Sequence, residues 1–219
     1  MEVIERYNLF CEQLSDAVRL YPNLKIEQTD DGLSFLKGVL DIPNDVNQIA
    51  GDFAIEIHFR NDFPYRFPLL FEVGGAIPNE ADWHKYAEGN CCITAKPDEI
   101  LKCKNGISVP LFIKKHAIPY FANQIYRKST GKYNNGEYSH IVKGFPDYYE
   151  SLLKTNDRDL WKQYFKYAFR NLKVECERND PCFCGSEKKY KQCHLEIFIT
   201  LQGIGEKQVT NDFNNIFEP

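Results

Sequence analysis

The chain lacks any long apolar run. No stretch approaches the roughly 18 consecutive apolar residues that a membrane-spanning helix needs, and residues 1–6 carry acidic side chains where a signal peptide has an apolar region. A basic surplus is also absent, because 27 lysines and arginines are set against 31 acidic residues. General nucleic-acid binders usually present a basic face. We therefore expect a cytoplasmic protein without a membrane or nucleic-acid partner.

Cysteine is plentiful but unevenly placed. Of the eight cysteines, four lie between Cys176 and Cys193, and Cys91 and Cys92 are adjacent. A secreted disulfide scaffold would be a poor explanation of this clustering. A metal site and a reactive thiol explain it better. Hydrophobic residues make up 43% of the chain, which is enough to build a substantial core.

The first part of the chain has the pattern of an α+β domain. Apolar residues at spacings of three and four predict a helix over residues 2–20. Four strands of an antiparallel meander are predicted to follow. Within the third, Phe53, Ile55 and Ile57 alternate with polar residues, which indicates one buried face. The four predicted strands cover residues 24–28, 33–42, 53–59 and 69–73.

Beyond the strands, residues 73–108 show no periodicity, and an irregular segment of that length is usually functional. Further helices are predicted from Ser108, which can cap, with a kink at Pro119, and over residues 146–153 and 159–172. The end of the chain from Gly205 is expected to be mobile. We predict a main domain over residues 1–155, a connecting helix over 156–178, a zinc knuckle over 179–200 and a tail over 201–219.

A compact group of candidate metal ligands lies near the C-terminal end: Cys182, Cys184, Cys193 and His194. Three thiolates and one imidazole saturate a tetrahedral Zn²⁺, so the site is predicted to be structural. The adjacent ligands predict a helical turn, and Gly185 permits a tight one. A disulfide would leave the histidine unexplained.

This segment resembles the SEC-C motif, the zinc-binding tail of the SecA preprotein translocase. Three lysines lie between the ligands and offset the negative charge of three thiolates on zinc. They form either a docking face or a solvated charge run. The three are Lys188, Lys189 and Lys191.

A second resemblance rests on the order of elements and on the residues around Cys92. The run from Gly51 to Pro68 is similar to a strand and proline-aromatic turn of the ubiquitin-conjugating enzymes. His84 precedes Cys92 by eight positions, and residues 89–93 are similar to that family's run around its catalytic cysteine. The chain thus resembles the bacterial relatives of these enzymes, the prokaryotic UBC-like family. The resemblance implies their fold: an N-terminal helix, a four-stranded meander, a long active-site flap and C-terminal helices.

The resemblance also implies an activity. Cys92 would accept a ubiquitin-like modifier from an activating enzyme as a thioester and transfer it to a nucleophile on a target protein, in a bacterial antiphage pathway. Cys91 would take the preceding, inward-pointing place. The alternative is a pair of buried, inert cysteines. Neighbouring side chains of an extended segment point to opposite sides, so at most one of the two is expected to be presented.

Other candidate residues surround this cysteine. His84 would brace the loop or exchange protons. Lys85 and Tyr86 stand where the resembled family has Pro-Asn, so its oxyanion-supporting asparagine is missing. The Tyr86 hydroxyl or the amide of Asn90 would replace that donor. His140 would act as a base or cap a turn. The contrasting hypothesis, favoured by the missing asparagine, is an inactive binding module or adaptor that recruits a partner through the zinc knuckle.

Overall fold

The computed structural model describes residues 1–46, 48–133, 144–170 and 176–217. They form two compact units of an α+β protein. The first comprises the described residues of Met1–Thr94 and Lys102–His140, and the second those of Ala95–Leu101 and Ile141–Pro219. The domain boundaries predicted from the sequence stay predictions. Within the described residues, no helix has both the length and the apolarity needed to cross a bilayer.

The first unit begins with helix α1 (Val3–Leu20), which is followed by a four-stranded sheet. The spatial order of the strands is their order in the chain, and each neighbouring pair is antiparallel, so the predicted meander is confirmed. The strands are β1 (Leu24–Gln28), β2 (Ser34–Pro43), β3 (Ile49–His58) and β4 (Leu69–Glu72).

The core of this unit lies between one face of the sheet, α1 and the helical segment over residues 109–121. Phe10 and Leu14 are fully buried on α1 because their spacing of four places them on the same helix face. On β3, Phe53, Ile55 and Ile57 are buried while the residues between them remain partly exposed. The alternation predicted for this strand is therefore confirmed.

The irregular segment after β4 contains a 3₁₀ turn (Ala81–Trp83), and helix α2 (Lys96–Lys102) follows it. Helix α3 (Val109–Phe112) then starts at the predicted cap, where the Ser108 side chain accepts a hydrogen bond from the Leu111 amide. A π-helical turn (Ile113–Ala117) joins α3 to helix α4 (Ile118–Thr130). It lies immediately before the first turn of α4, which contains Pro119, a residue that cannot donate a backbone hydrogen bond.

The second unit is helical, with α5 (Gly144–Leu153), α6 (Arg158–Phe169), α7 (Leu195–Ile204) and α8 (Glu206–Phe217). The expectation of a mobile segment after Gly205 is wrong. Val209, Phe213 and Ile216 on α8 are all buried, because spacings of four and three place them on one helix face that enters the core of the unit.

Candidate functional site

The two adjacent cysteines lie on one arm of a short hairpin. The backbone amide of Cys92 donates to the carbonyl of His84 at 2.7 Å, and Lys85 forms a β-bridge with Cys91. Gly89 lies at the turn with a φ of 89°, a left-handed value that glycine adopts without strain. The hairpin thus aligns the cysteine arm with the residues that follow the 3₁₀ turn.

The same hairpin is attached to the edge of the sheet. The Cys91 amide donates to the carbonyl of Leu70 on β4 at 2.7 Å, and Asn90 forms a β-bridge with Phe71. The position of the cysteine arm therefore follows from the register of the sheet. This explains how a segment without sequence periodicity has a defined place in the fold.

The two thiols have different surroundings. Cys91 is only 5% exposed, and burial raises the pKa of its thiol to about 12, although a hydrogen bond with Tyr120 and the charge of Lys85 act in the opposite direction. Cys92 is half-buried, and its sulfur lies 3.3 Å from the hydroxyl oxygen of Tyr86. The predicted alternation of the pair is confirmed. The role of Cys92 as a nucleophile stays a prediction.

His84 holds the hairpin through its backbone. It has a left-handed conformation with a φ of 51°, and its carbonyl accepts from the Cys92 amide and, at 3.1 Å, from the Tyr120 hydroxyl. Its ring contacts Tyr133 edge-on, with 4.7 Å between ring centroids. These contacts are those of a bracing residue, and proton exchange by the imidazole stays a prediction.

Helix α4 binds the 3₁₀ turn through three side chains of one helix face, Tyr120, Gln124 and Arg127. The Gln124 amide donates to the carbonyl of Trp83 at 3.1 Å, and Arg127 donates to the carbonyl of Asp82. The Arg127 guanidinium also lies 4.2 Å from the centre of the Trp83 ring. We call these three residues the α4 clamp. Sequence analysis did not identify it, although their i, i+4, i+7 spacing was a usable signal.

Lys85 points into the protein and forms an ion pair with Glu72. Its ammonium nitrogen lies 3.7 Å from Oε2 of Glu72, and both side chains are almost fully buried. The same carboxylate accepts hydrogen bonds from the backbone amides of Ala76 and Ile77 at 3.0 and 3.1 Å. The side chain of Lys85 therefore has a structural role in the core of this unit.

Three predicted residues remain: Tyr86, Asn90 and His140. The Tyr86 hydroxyl contacts the Cys92 sulfur. Asn90 belongs to the same hairpin through its backbone carbonyl, which accepts from the Tyr86 amide at 2.9 Å, and the role of its side chain stays a prediction. His140 lies outside the described residues.

The predicted metal ligands form a cluster in the second unit. One donor atom from each of Cys182, Cys184, Cys193 and His194 lies within 4.8 Å of all the others. The Cys184 and Cys193 sulfurs are 3.6 Å apart, and Nδ1 of His194 is 3.2 Å from the sulfurs of both Cys182 and Cys193. A Zn–S bond of about 2.3 Å implies ligand separations near 3.8 Å around a tetrahedral ion, so these residues fit Zn²⁺.

Local structure brings these ligands together. Gly185 has a φ of 74°, and its amide donates to the carbonyl of Cys182 at 3.1 Å, which closes a tight turn that contains the first two cysteines. A 3₁₀ turn (Tyr190–Gln192) precedes Cys193, and α7 starts directly after His194. Cys193 and His194 themselves form a turn between these two elements, so the pair leaves the extended conformation as expected, but the helical turns flank the pair and do not include it.

The thiols of this cluster also differ in acidity. Burial raises the pKa of Cys182 to about 11, and the neighbouring thiols add to this effect. Burial acts in the same direction on Cys184, but hydrogen bonds from Ser186 and from the neighbouring thiols outweigh it and lower the pKa to about 7. Burial lowers the pKa of His194, which favours the neutral imidazole that binds metal. Of these two thiols, Cys184 is thus the more readily deprotonated.

The lysines between the ligands lie on the outside of the cluster. Lys188 and Lys189 are exposed and Lys191 is half-buried. The side chain of Phe183, between the first two ligands, is 40% exposed and contacts the ring of Phe198. Whether the lysines form a docking face or a solvated charge run stays open.

Comparison with known proteins identifies the cluster. The SEC-C motif matches residues 178–196, so the chain carries this motif. The protein translocase subunit SecA of Bordetella petrii is 33% identical over 76 residues, which are 35% of this chain and 8% of that protein. SecA of Methylobacillus flagellatus is 36% identical over 63 residues, 29% of this chain and 6% of that protein. The chain thus spans less than a tenth of the length of these relatives. No solved structure matches it.

Proposed function

We propose that the protein is a ubiquitin-like-modifier conjugating enzyme of the prokaryotic UBC-like family and that Cys92 carries the modifier as a thioester. One observation supports this most: a single half-buried thiol lies beside a hydroxyl on a hairpin anchored to the sheet, while the adjacent thiol is buried. The helix and four-stranded meander beneath it agree with the fold of that family.

Both chemical steps follow from the properties of a thiol. In the first, the Cys92 thiolate attacks the thioester carbonyl of the modifier on its activating enzyme, and the thiolate of that enzyme leaves. In the second, an amine of the target attacks the new thioester and loses a proton to solvent, an amide forms, and Cys92 leaves as a thiolate. Each step passes through a tetrahedral intermediate with a negatively charged oxygen. That oxygen needs a hydrogen-bond donor.

Tyr86 is the donor that we assign to this intermediate. Its hydroxyl is 3.3 Å from the Cys92 sulfur, so it lies near any carbonyl bonded to that sulfur. It would thereby replace the asparagine that the resembled family uses. Removing one such donor from an acyl-transfer site typically lowers the rate by about 10²–10³.

A trapping experiment tests the proposal. The chain is expressed in its host, recovered under denaturing conditions without thiols, and examined by intact-mass spectrometry. We expect a protein adduct that hydroxylamine or a thiol cleaves, that persists in Cys91→Ala and that is absent from Cys92→Ala. Cys92→Ser should retain the adduct as an ester resistant to thiols. A wild-type chain without any adduct of this kind, with the host pathway active, would refute the proposal.

The rate at which the adduct is discharged onto free lysine then identifies the hydrogen-bond donor to the intermediate. Tyr86→Phe should slow discharge strongly, whereas Asn90→Ala should leave the rate close to that of the wild type. The opposite result would assign the donor to Asn90. Antiphage defence is the pathway that the resemblance implies, so phage plating provides the cellular measurement for the same variants.

A second candidate function is that of a binding module or adaptor. It is favoured by the SEC-C motif, which the comparisons identify, and by the Lys-Tyr pair that replaces Pro-Asn. On this hypothesis Cys92→Ala leaves cellular function unchanged, whereas deleting residues 176–219 abolishes it. If the protein is instead a conjugating enzyme, Cys92→Ala should abolish its cellular function.

A further inference from the structure

A residue outside the matched motif contacts one of its ligands. Tyr164 lies on α6, thirty positions before His194 and ahead of the SEC-C match over residues 178–196. Its hydroxyl oxygen is 2.7 Å from Nε2 of His194, and this contact is buried. The other ring nitrogen, Nδ1, faces the sulfurs of Cys182 and Cys193 at 3.2 Å.

The two ring nitrogens therefore have different tasks. A neutral imidazole carries one proton, and the nitrogen that binds a metal must be the unprotonated one. With Nδ1 facing the sulfurs, the proton belongs on Nε2, from where it is donated to the Tyr164 hydroxyl oxygen. A hydrogen bond of this kind fixes the tautomer and the orientation of a metal-binding histidine.

We propose that Tyr164 is a positioning residue for the zinc site and that α6 is therefore part of this site. The motif supplies the metal ligands, and α6, which lies outside the motif, orients one of them. The Tyr164 ring packs on the imidazole with 4.9 Å between centroids and on Phe198 of α7 with 5.9 Å. Zinc binding accordingly stabilises the packing of α6 against α7.

The hydroxyl and the ring of Tyr164 can be tested separately. Tyr164→Phe keeps the aromatic packing and removes only the oxygen that accepts from His194. Tyr167→Phe is a matched control on the same helix: the Tyr167 ring contacts Phe183 and Phe198, and its hydroxyl accepts from Gln163 at 3.3 Å. Both variants thus lose one tyrosine hydroxyl, but only Tyr164→Phe loses a contact to a ligand.

The measurement is the affinity of the full chain for Zn²⁺, titrated against a competing chelator. We expect Tyr164→Phe to bind Zn²⁺ about 10–100-fold more weakly than the wild type, in line with other losses of this type of contact. Tyr167→Phe should bind like the wild type. Equal affinity of Tyr164→Phe and the wild type, with matching circular dichroism, would overturn the proposal.

A second measurement on the wild-type chain requires no variant. In the zinc-loaded protein, long-range ¹H–¹⁵N correlation spectra distinguish a protonated from a metal-bound ring nitrogen. The proposal requires the His194 proton on Nε2 and the metal on Nδ1. The reverse assignment would overturn it even if Tyr164→Phe failed to fold.

Discussion

Cys91 and Cys92 are adjacent in the sequence, yet their thiols lie in opposite environments of the same hairpin arm. Cys91 is 5% exposed in the core, with a hydrogen bond between its thiol and Tyr120, whereas Cys92 is half-buried and contacts the Tyr86 hydroxyl. Since only a thiolate reacts readily with electrophiles, this difference has a direct chemical consequence.

Iodoacetamide should distinguish the two cysteines in the folded chain. At pH 8 only about one in ten thousand Cys91 thiols is ionised at a pKa of about 12, and the thiolate becomes abundant only as the pH approaches that value. We expect Cys92 to be alkylated at least about tenfold faster, as measured by peptide mass spectrometry. In urea the two rates should converge. Equal rates in the native chain would contradict the structure.

The α4 clamp should stabilise the first unit. Gln124 is fully buried, and Gln124→Leu removes its bond to the Trp83 carbonyl and one of the two acceptors near the Tyr133 hydroxyl, the other being the Asp82 carbonyl. We expect a loss of about 1–3 kcal/mol in the free energy of unfolding. Hydrogen exchange in urea at β3 and β4 measures it, and the Cys92 amide should exchange faster as well. Ser129→Ala, exposed on the same helix, is the control and should change neither quantity.

The buried ion pair should be costly to break. Lys85→Met removes the cation that pairs with the buried Glu72 carboxylate, which also accepts hydrogen bonds from the amides of Ala76 and Ile77. Losing one partner of such a pair typically costs about 3–5 kcal/mol, which the same exchange experiment detects. The control is Lys25→Met on β1, where an exposed lysine pairs with Glu27 and a small effect is expected. A variant at Lys85 as stable as the control would contradict this role.

Helix α8 should contribute to the core of the second unit. The Phe213 ring packs against Tyr149, Trp161 and Phe165, so Phe213→Ala should lower the free energy of unfolding by about 3–5 kcal/mol. Exchange of α6 amides reports this loss. Asn214→Ala, exposed on the same helix, should have little effect. If both variants matched the wild type, α8 would have no part in this core.

Much of the first unit could be predicted because its elements have clear periodicities. The helix and the strands of the meander follow from apolar spacings, and β3 differs mainly at its start. Ile49, Gly51 and Asp52 pair with β2 through the backbone, and Ile49 is 66% exposed, so no apolar pattern marks the start of this strand. Helix α8 was missed because its asparagines have low helix propensity, which the burial of Val209, Phe213 and Ile216 overrides.

Some residues of the candidate sites could likewise be predicted from the sequence, and others could not. The four zinc ligands were predictable because they lie within thirteen residues and their spacing is itself the signal. The α4 clamp and Tyr164 were not, because each acts on residues at least thirty positions away in the sequence, and only the folded chain brings them together. The left-handed backbone of His84 likewise depends on tertiary contacts that its side chain does not specify.

The distance of thirty positions from Tyr164 to His194 in the sequence determines how the chain can be divided. A fragment cut at the edges of the motif, or the same piece transplanted into a foreign protein, would carry every ligand and leave the orienting hydroxyl behind. Such a graft would hold its ion less tightly than the parent does. In this protein the smallest fragment that retains the full affinity for the metal therefore contains α6 as well as the motif.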